Sequence, residues 1–397
     1  MDFQQQYDVV VAGGGVAGVA AALAAARRGL KTVLIEKTVW PGGLATTGMI
    51  CIYLPLCDGC GTQVAFGLTE ELLRVGLKYG PGDIPANWRQ EQNATEDKRY
   101  RTVFSPASFI LALDELLEAA GVDIWLDTVI TGAHTEHHRL TDVQAVNKSG
   151  TGIIAGRCFV DATGDADLAY FAGAPCPTAA NAPAFWALEF RRGHDSPFYM
   201  ADNVIMRLDG ANVDANSPDL DGINGRIVSR AVLAGRRKYR HVLEDNYASG
   251  KYDRKSLFPL MLPGMAQLRH TRRITGQFTL SDGMAGRSFD DAVGLIGDWR
   301  KSGPVWEIPY RSLLPVGVGG MIAAGRCIAA EKDAWEVMRV IPTAALTGEV
   351  AGVAAALSVQ RGITPDTLPF DVLSRELREQ CKFPLHFADV GLKPVAD

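Results

Sequence analysis

The segment Tyr7–Ala12 is a run of β-branched and small apolar residues that ends in three consecutive glycines, and an alanine-rich stretch, Val16–Arg28, follows at once. An apolar run this short, bounded by glycine, reads as a strand buried on both faces. Helical apolar spacing with Gly29 as a stop makes the alanine-rich stretch a helix, and Lys31–Glu36 reads as a second buried strand. This order predicts a strand–helix–strand unit with parallel strands. Gly13, Gly15 and Gly18 stand at the strand-to-helix junction in the spacing G-x-G-x-x-G, with Gly14 added. The first glycine makes the tight turn, the second lets a pyrophosphate approach the backbone, and the third lets helix and strand pack closely. The helix start then offers unpaired N–H groups and a partial positive charge to phosphate. Glu36 closes the second strand, where it can accept hydrogen bonds from both ribose hydroxyls. The unit therefore predicts a dinucleotide site, for NAD or for FAD.

Composition narrows the class. Glycine takes 42 of 397 positions, against a usual share of about 7%. Its clusters lie between apolar runs and lack a three-residue period, which excludes collagen and low-complexity chains. A formal net charge of −5 gives no global attraction to nucleic acid or anionic lipid. The longest weakly charged apolar stretches, around Val9–Ala26 and Gly319–Ala330, are Gly/Ala-rich and predict no transmembrane helix. Residues Met1–Gln6 are polar, without a charged n-region or cleavage site, so a cytoplasmic chain is expected, with its seven cysteines as thiols.

Further along, helices are expected at Thr69–Tyr79 and Ser108–Ala120, and Ile124–Asp161 carries period-two segments broken by turns, a small antiparallel meander. Phe159–Thr163 reads as another core strand. Composition shifts near Pro175. Beyond it lie strand-like segments at Phe185–Arg191, Val204–Leu208 and Ile274–Leu280 and a helix at Arg226–Tyr247, until the strand Met321–Gly325 and the helix Thr343–Gln360 restore the α/β pattern. The expected fold class is α/β: a Rossmann-like dinucleotide domain with a parallel central sheet and a small antiparallel meander, over residues 1–175 and 311–397, with an inserted α+β cap or substrate domain over 176–310.

The phrases GGLATTGM (Gly42–Met49), FVDATGDADLA (Phe159–Ala169), WEIPYRSLLP (Trp306–Pro315), AAGRCIAA (Ala323–Ala330) and RVIPTAALTGEVAG (Arg339–Gly352) are spread along the chain. Together they resemble the FAD-dependent oxidoreductase family, two-dinucleotide-binding flavoproteins of the glutathione-reductase-like class related to the flavoprotein subunits of fumarate and heterodisulfide reductases. The resemblance implies FAD. It implies a cofactor site in which Gly13, Gly15, Val16, Ala17 and Gly18 meet phosphate, and Glu36 and Lys37 lie near ribose. Gly42, Gly43, Leu44, Ala45 and Thr46 would follow the pyrophosphate and ribityl chain, and Val129 would meet adenine through its backbone. Ala162, Thr163, Gly164 and Asp165, then Gly325 and Arg326, and finally Arg339, Pro342, Thr343 and Ala344 complete the set. Arg326 departs from relatives that carry an acid there. Unable to accept a hydrogen bond, it is expected to pair with a phosphate or a carboxylate. No His or Cys sits within the early glycine phrases, so FAD is expected to be non-covalent, with Cys51 the nearest exception. If the first turn of the Thr343 helix faces the flavin, its dipole would stabilise negative charge on the reduced ring. Gly348, Gly352 and Ala356 give that helix a small-residue face, which also suits plain helix packing.

No second dinucleotide fingerprint occurs between Pro175 and Pro315. Electrons are therefore expected to come from the substrate or a partner, which suggests a dehydrogenase or oxidase taking a hydride from a small organic molecule. Arg269 and Arg311 could clamp a carboxylate, and His270 or Tyr310 could take a proton, with ion pairs to Asp282, Asp290 or Asp291 as the structural alternative. Cys57 and Cys60 form a C-x-x-C, readable as a flavin-coupled dithiol or as two thiols in a tight loop, and no second pair completes a zinc site. His134, His137 and His138 read as a solvated turn, and no metal is expected. The basic helix residues Arg226, Arg230, Arg236, Arg237, Lys238 and Arg240 read as a solvated face, with partner contact next and nucleic acid a remote third. The readings left open are a thiol/disulfide reductase, a non-redox or thiazole-synthase-like flavoprotein, and an electron-transfer subunit. The electron acceptor and a homo-oligomeric state are also open.

Overall fold

A computed structural model describes residues 2–84, 101–181, 184–192 and 221–395, and the backbone alone of 202–207. In chain order the elements are β1 (Phe3–Ala12), α1 (Val16–Ala26), β2 (Thr32–Ile35), β3 (Ile52–Tyr53), α2 (Leu68–Gly76), β4 (Thr102–Val103), α3 (Pro106–Ala119), β5 (Asp123–Trp125), β6 (Val129–Glu136), β7 (Arg139–Asn147) and β8 (Gly150–Asp161). There follow α4 (Asp167–Phe171), β9 (Ala184–Arg191), β10 (Asp202–Arg207), α5 (Gly225–Ala248), β11 (Leu257–Met261), β12 (Ala292–Gly297), β13 (Val305–Pro309), β14 (Met321–Ala323), α6 (Lys332–Met338), α7 (Ile341–Arg361) and α8 (Phe370–Glu379).

The main sheet has the order β5-β2-β1-β8-β7-β6, with β14 also on β8. Strands β5, β2, β1, β8 and β14 run parallel, whereas β8, β7 and β6 pair antiparallel. The fold is thus α/β with a mostly parallel central sheet and a small meander. The long β8 joins the two parts, since residues 150–155 face β7 and 159–161 face β14. Strand β1 begins at Phe3, ahead of the apolar run, because Phe3–Gln6 pairs with Gly152–Ala155. Gln4, Gln5 and Gln6 are exposed there, so backbone pairing alone extends the strand.

Strands β9, β10 and β11 form a separate sheet, covered by α5, whose small core is Phe185, Ala187 and Tyr239. Leu208, expected to end a strand, lies outside the described residues. On α5, Arg226, Arg230, Arg237 and Arg240 are exposed, while Ala231, Ala234, Gly235 and Tyr239 are buried. The segment after 271 packs differently: Ile274, Leu280, Ile296, Trp306 and Ile308 belong to the main core. The strand expected at Ile274–Leu280 is not formed. This stretch crosses the nucleotide domain as irregular chain, its N–H groups at Ile274, Gln277 and Leu280 donating to the carbonyls of Cys327, Leu314 and Ala329. Its partners are thus spread over several segments rather than one strand, so no ladder develops. At the tip of the meander His137 and His138 take left-handed backbone angles in an exposed turn, and His134 meets Asp142 at 2.5 Å.

Helix α7 is long and apolar enough to cross a membrane by length and composition, but 83% of its apolar window is buried within the protein. It lies against α1 at backbone contact. A Cβ built on Gly348 would stand 2.2 Å from the Ala17 carbonyl oxygen, and one on Gly352 2.3 Å from that of Ala21. One polar residue of α7, Glu349, is turned toward α2, where its carboxylate accepts the Leu68 N–H at 2.6 Å. Burial pushes the Glu349 carboxyl up to about 7, the Leu68 hydrogen bond opposing it.

Two predictions follow from α7. Gly348→Ala should destabilise the protein by about 3 kcal/mol, the upper end of the overpacking range, because the obstacle is backbone. Urea unfolding with an unchanged midpoint would disprove the helix contact. For Glu349, a folded value above the unfolded 4.5 means that the native state binds the proton more tightly. Its contribution is full below pH 4.5, falls as pH rises to about 7 and is flat beyond, for a total of about 3 kcal/mol. Glu349→Gln keeps an acceptor for Leu68 and should flatten that slope, gaining most over wild type above pH 7; parallel stability–pH curves would rule this out.

Candidate functional site

A cleft lies beyond the carboxyl ends of β1, β2, β8 and β14, where an open parallel sheet places its ligands. Its floor is the turn between β1 and α1. Gly13 has φ +97°, and a Cβ there would stand 2.6 Å from the Ala162 carbonyl oxygen. Gly18 packs the helix onto this turn, since its Cβ would fall 1.8 Å from the Gly13 carbonyl oxygen. Gly15 differs: a Cβ would meet nothing within 4 Å, and the residue lines the cleft. No side chain caps α1 and no acid occupies its first turn, so the partial charge of the helix start is left to the cleft. Glu36 holds the turn while lining the cleft. Its Oε2 accepts the Gly14 N–H at 2.7 Å, and its Oε1 accepts both the backbone N–H and the hydroxyl of Thr38 at 2.8 Å.

The walls come from four other segments. Gly42, Gly43, Leu44 and Ala45 form one, tied down by the Gly42 N–H to the Gly14 carbonyl at 2.7 Å. Thr46 stands behind it, its hydroxyl donating to the Pro41 carbonyl at 2.6 Å. Thr128, Val129 and Ile130 form the second wall, and Ala162, Thr163, Gly164 and Asp167 the third. The fourth contains Ala324, Gly325, Arg326, Arg339, Ile341 and Ala344, with Met265 contributed from the segment after β11. Gly325 donates its N–H to the Thr347 hydroxyl at 2.9 Å, which ties β14 to α7. Pro342 and Thr343 shape the start of α7 behind the lining, Thr343 donating to the Val337 carbonyl at 2.8 Å.

Charge concentrates at the fourth wall. Arg326 pairs with Asp165 at 2.7 Å, and Asp165 also accepts from the Thr271 hydroxyl at 2.6 Å. Burial opposes ionisation of Asp165, yet Arg326 and Lys37 outweigh it and lower the carboxyl. Glu336 lies between Arg339 and His270, the latter at 3.1 Å. Burial alone would raise Glu336, but these two partners hold it at about 2. Burial, then Arg339 and Arg326, push the Arg269 guanidinium down to about 9.

Of the residues expected from sequence to hold the cofactor, Gly13, Gly15, Val16, Ala17, Glu36, Lys37, Gly42, Gly43, Leu44, Ala45, Val129, Ala162, Thr163, Gly164, Gly325, Arg326, Arg339 and Ala344 line the cleft. Gly18, Thr46, Asp165, Pro342 and Thr343 support them from behind. Ile35, Thr38, Thr128, Ile130, Asp167, Met265, Ala324 and Ile341 line the cleft as well without having been singled out; Asp167, Ala324 and Ile341 fall inside the family phrases, and Thr38 stands two residues after Glu36. The proposed catalytic residues separate. Tyr310 is buried and donates to the Pro365 carbonyl at 2.9 Å, and burial raises its hydroxyl well above the usual range. Arg311 pairs with Asp291 at 3.0 Å on the surface. Cys57 is buried and Cys60 exposed, and the Cys60 thiol is raised by burial and by Asp58. None of these four lines the cleft. Arg269 and His270 do not line it either, and His270 meets Glu336, the partner of Arg339 on the wall.

Residues 8–186 and 180–377 match the family model described as FAD dependent oxidoreductase. The chain belongs to that family. It is an FAD-dependent oxidoreductase, and FAD is its cofactor. The cleft fits such a group: Gly15 leaves open the space that a Cβ would fill, and Arg339 on the wall keeps a buried Nε without a partner. Among solved structures, a geranylgeranyl bacteriochlorophyll reductase-like protein from Thermoplasma acidophilum shares 16% identity over 96% of this chain and 85% of its own, with a TM-score of 0.53. A p-nitrophenol 4-monooxygenase from Pseudomonas putida shares 13% over 95% and 86%, with a TM-score of 0.51. At these identities the likeness shows the fold. Curated relatives match over short stretches. Thioredoxin reductase from Ureaplasma parvum is 35% identical over 19% of this chain and 24% of its own length. For 3-oxosteroid 1-dehydrogenase from Mycobacterium tuberculosis the figures are 47%, 13% and 9%. The matched stretches thus span under a quarter of these relatives' lengths.

Gly15 provides the test of the flavoprotein's cleft. Its φ of −64° suits any residue, so Gly15→Ala should leave the apoprotein within about 0.5 kcal/mol of wild type. The added methyl projects where the cofactor must approach, and FAD affinity should fall at least about tenfold. Equal FAD affinity by fluorescence titration would show that the cofactor does not pass Gly15.

Proposed function

We propose that this flavoenzyme is a dehydrogenase or oxidase that removes a hydride from a small organic substrate. The observation that carries the reading is a second, small pocket that shares Met265 with the cofactor cleft and is otherwise lined by the β9–α5 insertion and residues 263–268. A small apolar space beside the cofactor suits a substrate as electron donor. Among the described residues the glycine-rich turn before α1 is the one dinucleotide fingerprint, which agrees with that donor.

On this reading the Gly13–Gly15 turn and the start of α1 hold the pyrophosphate, and Glu36 takes the ribose hydroxyls. Gly42–Ala45 and Gly325 follow the ribityl chain, and Val129 and Ile130 enclose adenine. Bound there, FAD supplies the two-electron acceptor for a hydride. Ile341 and Ala344 would bring the positive end of α7 to bear on negative charge at the ring. The thiol/disulfide alternative loses support, because Cys57 and Cys60 stand apart from both pockets.

Anaerobic mixing of the holoenzyme with hydroxy acids, amines, sugars and unsaturated acids should bleach the flavin with at least one class of reduced substrate. Recovery of colour in air then identifies an oxidase, and recovery only with an added acceptor a dehydrogenase. Bleaching by a pyridine nucleotide alone, with every organic donor inert, would overturn the reading.

A further inference from the structure

Building on the hydride-transfer reading, we propose that the substrate carries a hydrocarbon end, free of charge and of hydrogen-bonding groups, that fills the pocket between β9, α5 and residues 263–268. Its reacting end then lies past Met265, toward the flavin. Phe185, Val228, Ala231, Val232 and Leu268 make most of the pocket wall, and Met265 belongs both to it and to the cofactor cleft. The one polar side chain of the lining, Gln267, is already committed. Its Oε1 accepts the Trp186 N–H at 2.8 Å, and its Nε2 donates to the carbonyls of Trp186 and Gly48. Backbone groups of the lining are engaged too, since the carbonyls of Gln267 and Leu268 accept from Arg269 and Arg326 at 2.6 and 2.8 Å.

Charges on the neighbouring segments are all directed elsewhere. Successive residues of a strand face opposite sides, so Phe185 reaches the pocket from one face of β9 while Trp186 stands on the other, where Arg269 lies over its ring at 5.9 Å. Glu189, on the Phe185 face, is taken by the Tyr239 hydroxyl at 2.9 Å and by Arg191 at 2.5 Å. On α5, Arg226, Arg230 and Arg237 are exposed, whereas Val228, Ala231 and Val232 of the same helix line the pocket. Among the described residues no charged side chain lines it. A charge carried into such a wall loses its water with no partner in return, and a neutral polar group loses its hydrogen bonds. A methylene gains from the same transfer, by roughly fourfold in affinity. The wall therefore selects hydrocarbon, and the side chains that α5 presents, Ala231 and Val232, set the length it accepts.

The test titrates oxidised holoenzyme with straight-chain primary amides, from acetamide to octanamide, and follows perturbation of the flavin absorbance. Affinity should rise by about fourfold per added methylene until the pocket is full, and then level off. An amide with a charged far end, ω-aminohexanamide, should bind at least about tenfold more weakly than hexanamide, a comparison that needs no variant. Val232→Ala should move the limiting length to longer chains and Ala231→Leu to shorter ones, with FAD content unchanged in both. Affinity independent of chain length, equal binding of hexanamide and ω-aminohexanamide, no binding of any amide, or one limiting length in wild type and both variants would overturn the proposal. Amides are not hydride donors, so the two readings separate. Amides that bind by this rule to an enzyme whose flavin no donor bleaches would refute hydride transfer and leave the pocket assigned. Bleaching by a substrate that hexanamide does not displace would overturn the pocket and leave hydride transfer intact.

Discussion

Backbone contact between α1 and α7 is the constraint on which the rest of the structure depends. Two helices meet so closely only where one presents no side chain, and Gly348 and Gly352 supply that strip against the Ala17 and Ala21 carbonyls. The contact places the first turns of both helices on one cleft, Val16 and Ala17 from one side, Ile341 and Ala344 from the other. Each helix start carries about half a positive charge. The packing that builds the core therefore also prepares a site for an anionic, extended ligand. Helix α7 is the most apolar long helix described, and its burial against α1 gives that hydrophobicity a use inside the protein.

Ion pairs then fix the loops around those helix starts. Arg326 occupies the space beside Gly164, whose Cβ would stand 2.8 Å from its Nη2, and reaches Asp165. Asp165 comes from the loop after β8 and Arg326 from the turn after β14, so the pair links the ends of two adjacent parallel strands. Arg272 pairs with Asp167 at 2.5 Å in the same layer. Part-buried pairs of this kind add little net stability, but stripping one charge of its partner is costly, and this holds the turns at Gly164 and Gly325 in register.

The parts of this architecture that were legible in the sequence are those that depend on local chemistry. The Gly13–Gly18 turn, its acid at Glu36 and the small-residue helix each follow from a short stretch of residues. Met265, Thr128 and Ile130 carry no such mark, because long-range packing puts ordinary residues on the wall. The phrase around Tyr310 and Arg311 looks functional for the opposite reason: it is distinctive, yet Trp306 and Tyr310 are core residues and Arg311 belongs to a surface ion pair. The Cys57–Cys60 spacing has a local cause as well. Asp58 Oδ1 accepts the Cys60 and Thr62 N–H groups at 2.8 and 2.9 Å, which makes a tight turn whatever the thiols do. Ile274–Leu280 has strand-like composition, but its partners are scattered, and composition cannot show that.

The two pockets are joined by a buried amide rather than by a hinge. Gln267, 8% exposed, bonds both to Trp186 of β9 and to Gly48 of the glycine-rich loop, and the neighbouring Gly264 N–H donates to the Thr47 carbonyl at 2.9 Å. The segment 263–268 is therefore referenced to the cofactor loop on one side and to the inserted sheet on the other. The remaining pocket walls, on β9 and α5, make no part of the cofactor cleft. Side chains such as Ala231 and Val232 can change size without disturbing the turns at Gly13 or Gly325. Such a division leaves redox chemistry to the shared sheet and selectivity to the insertion, which is how one fold hosts many substrates.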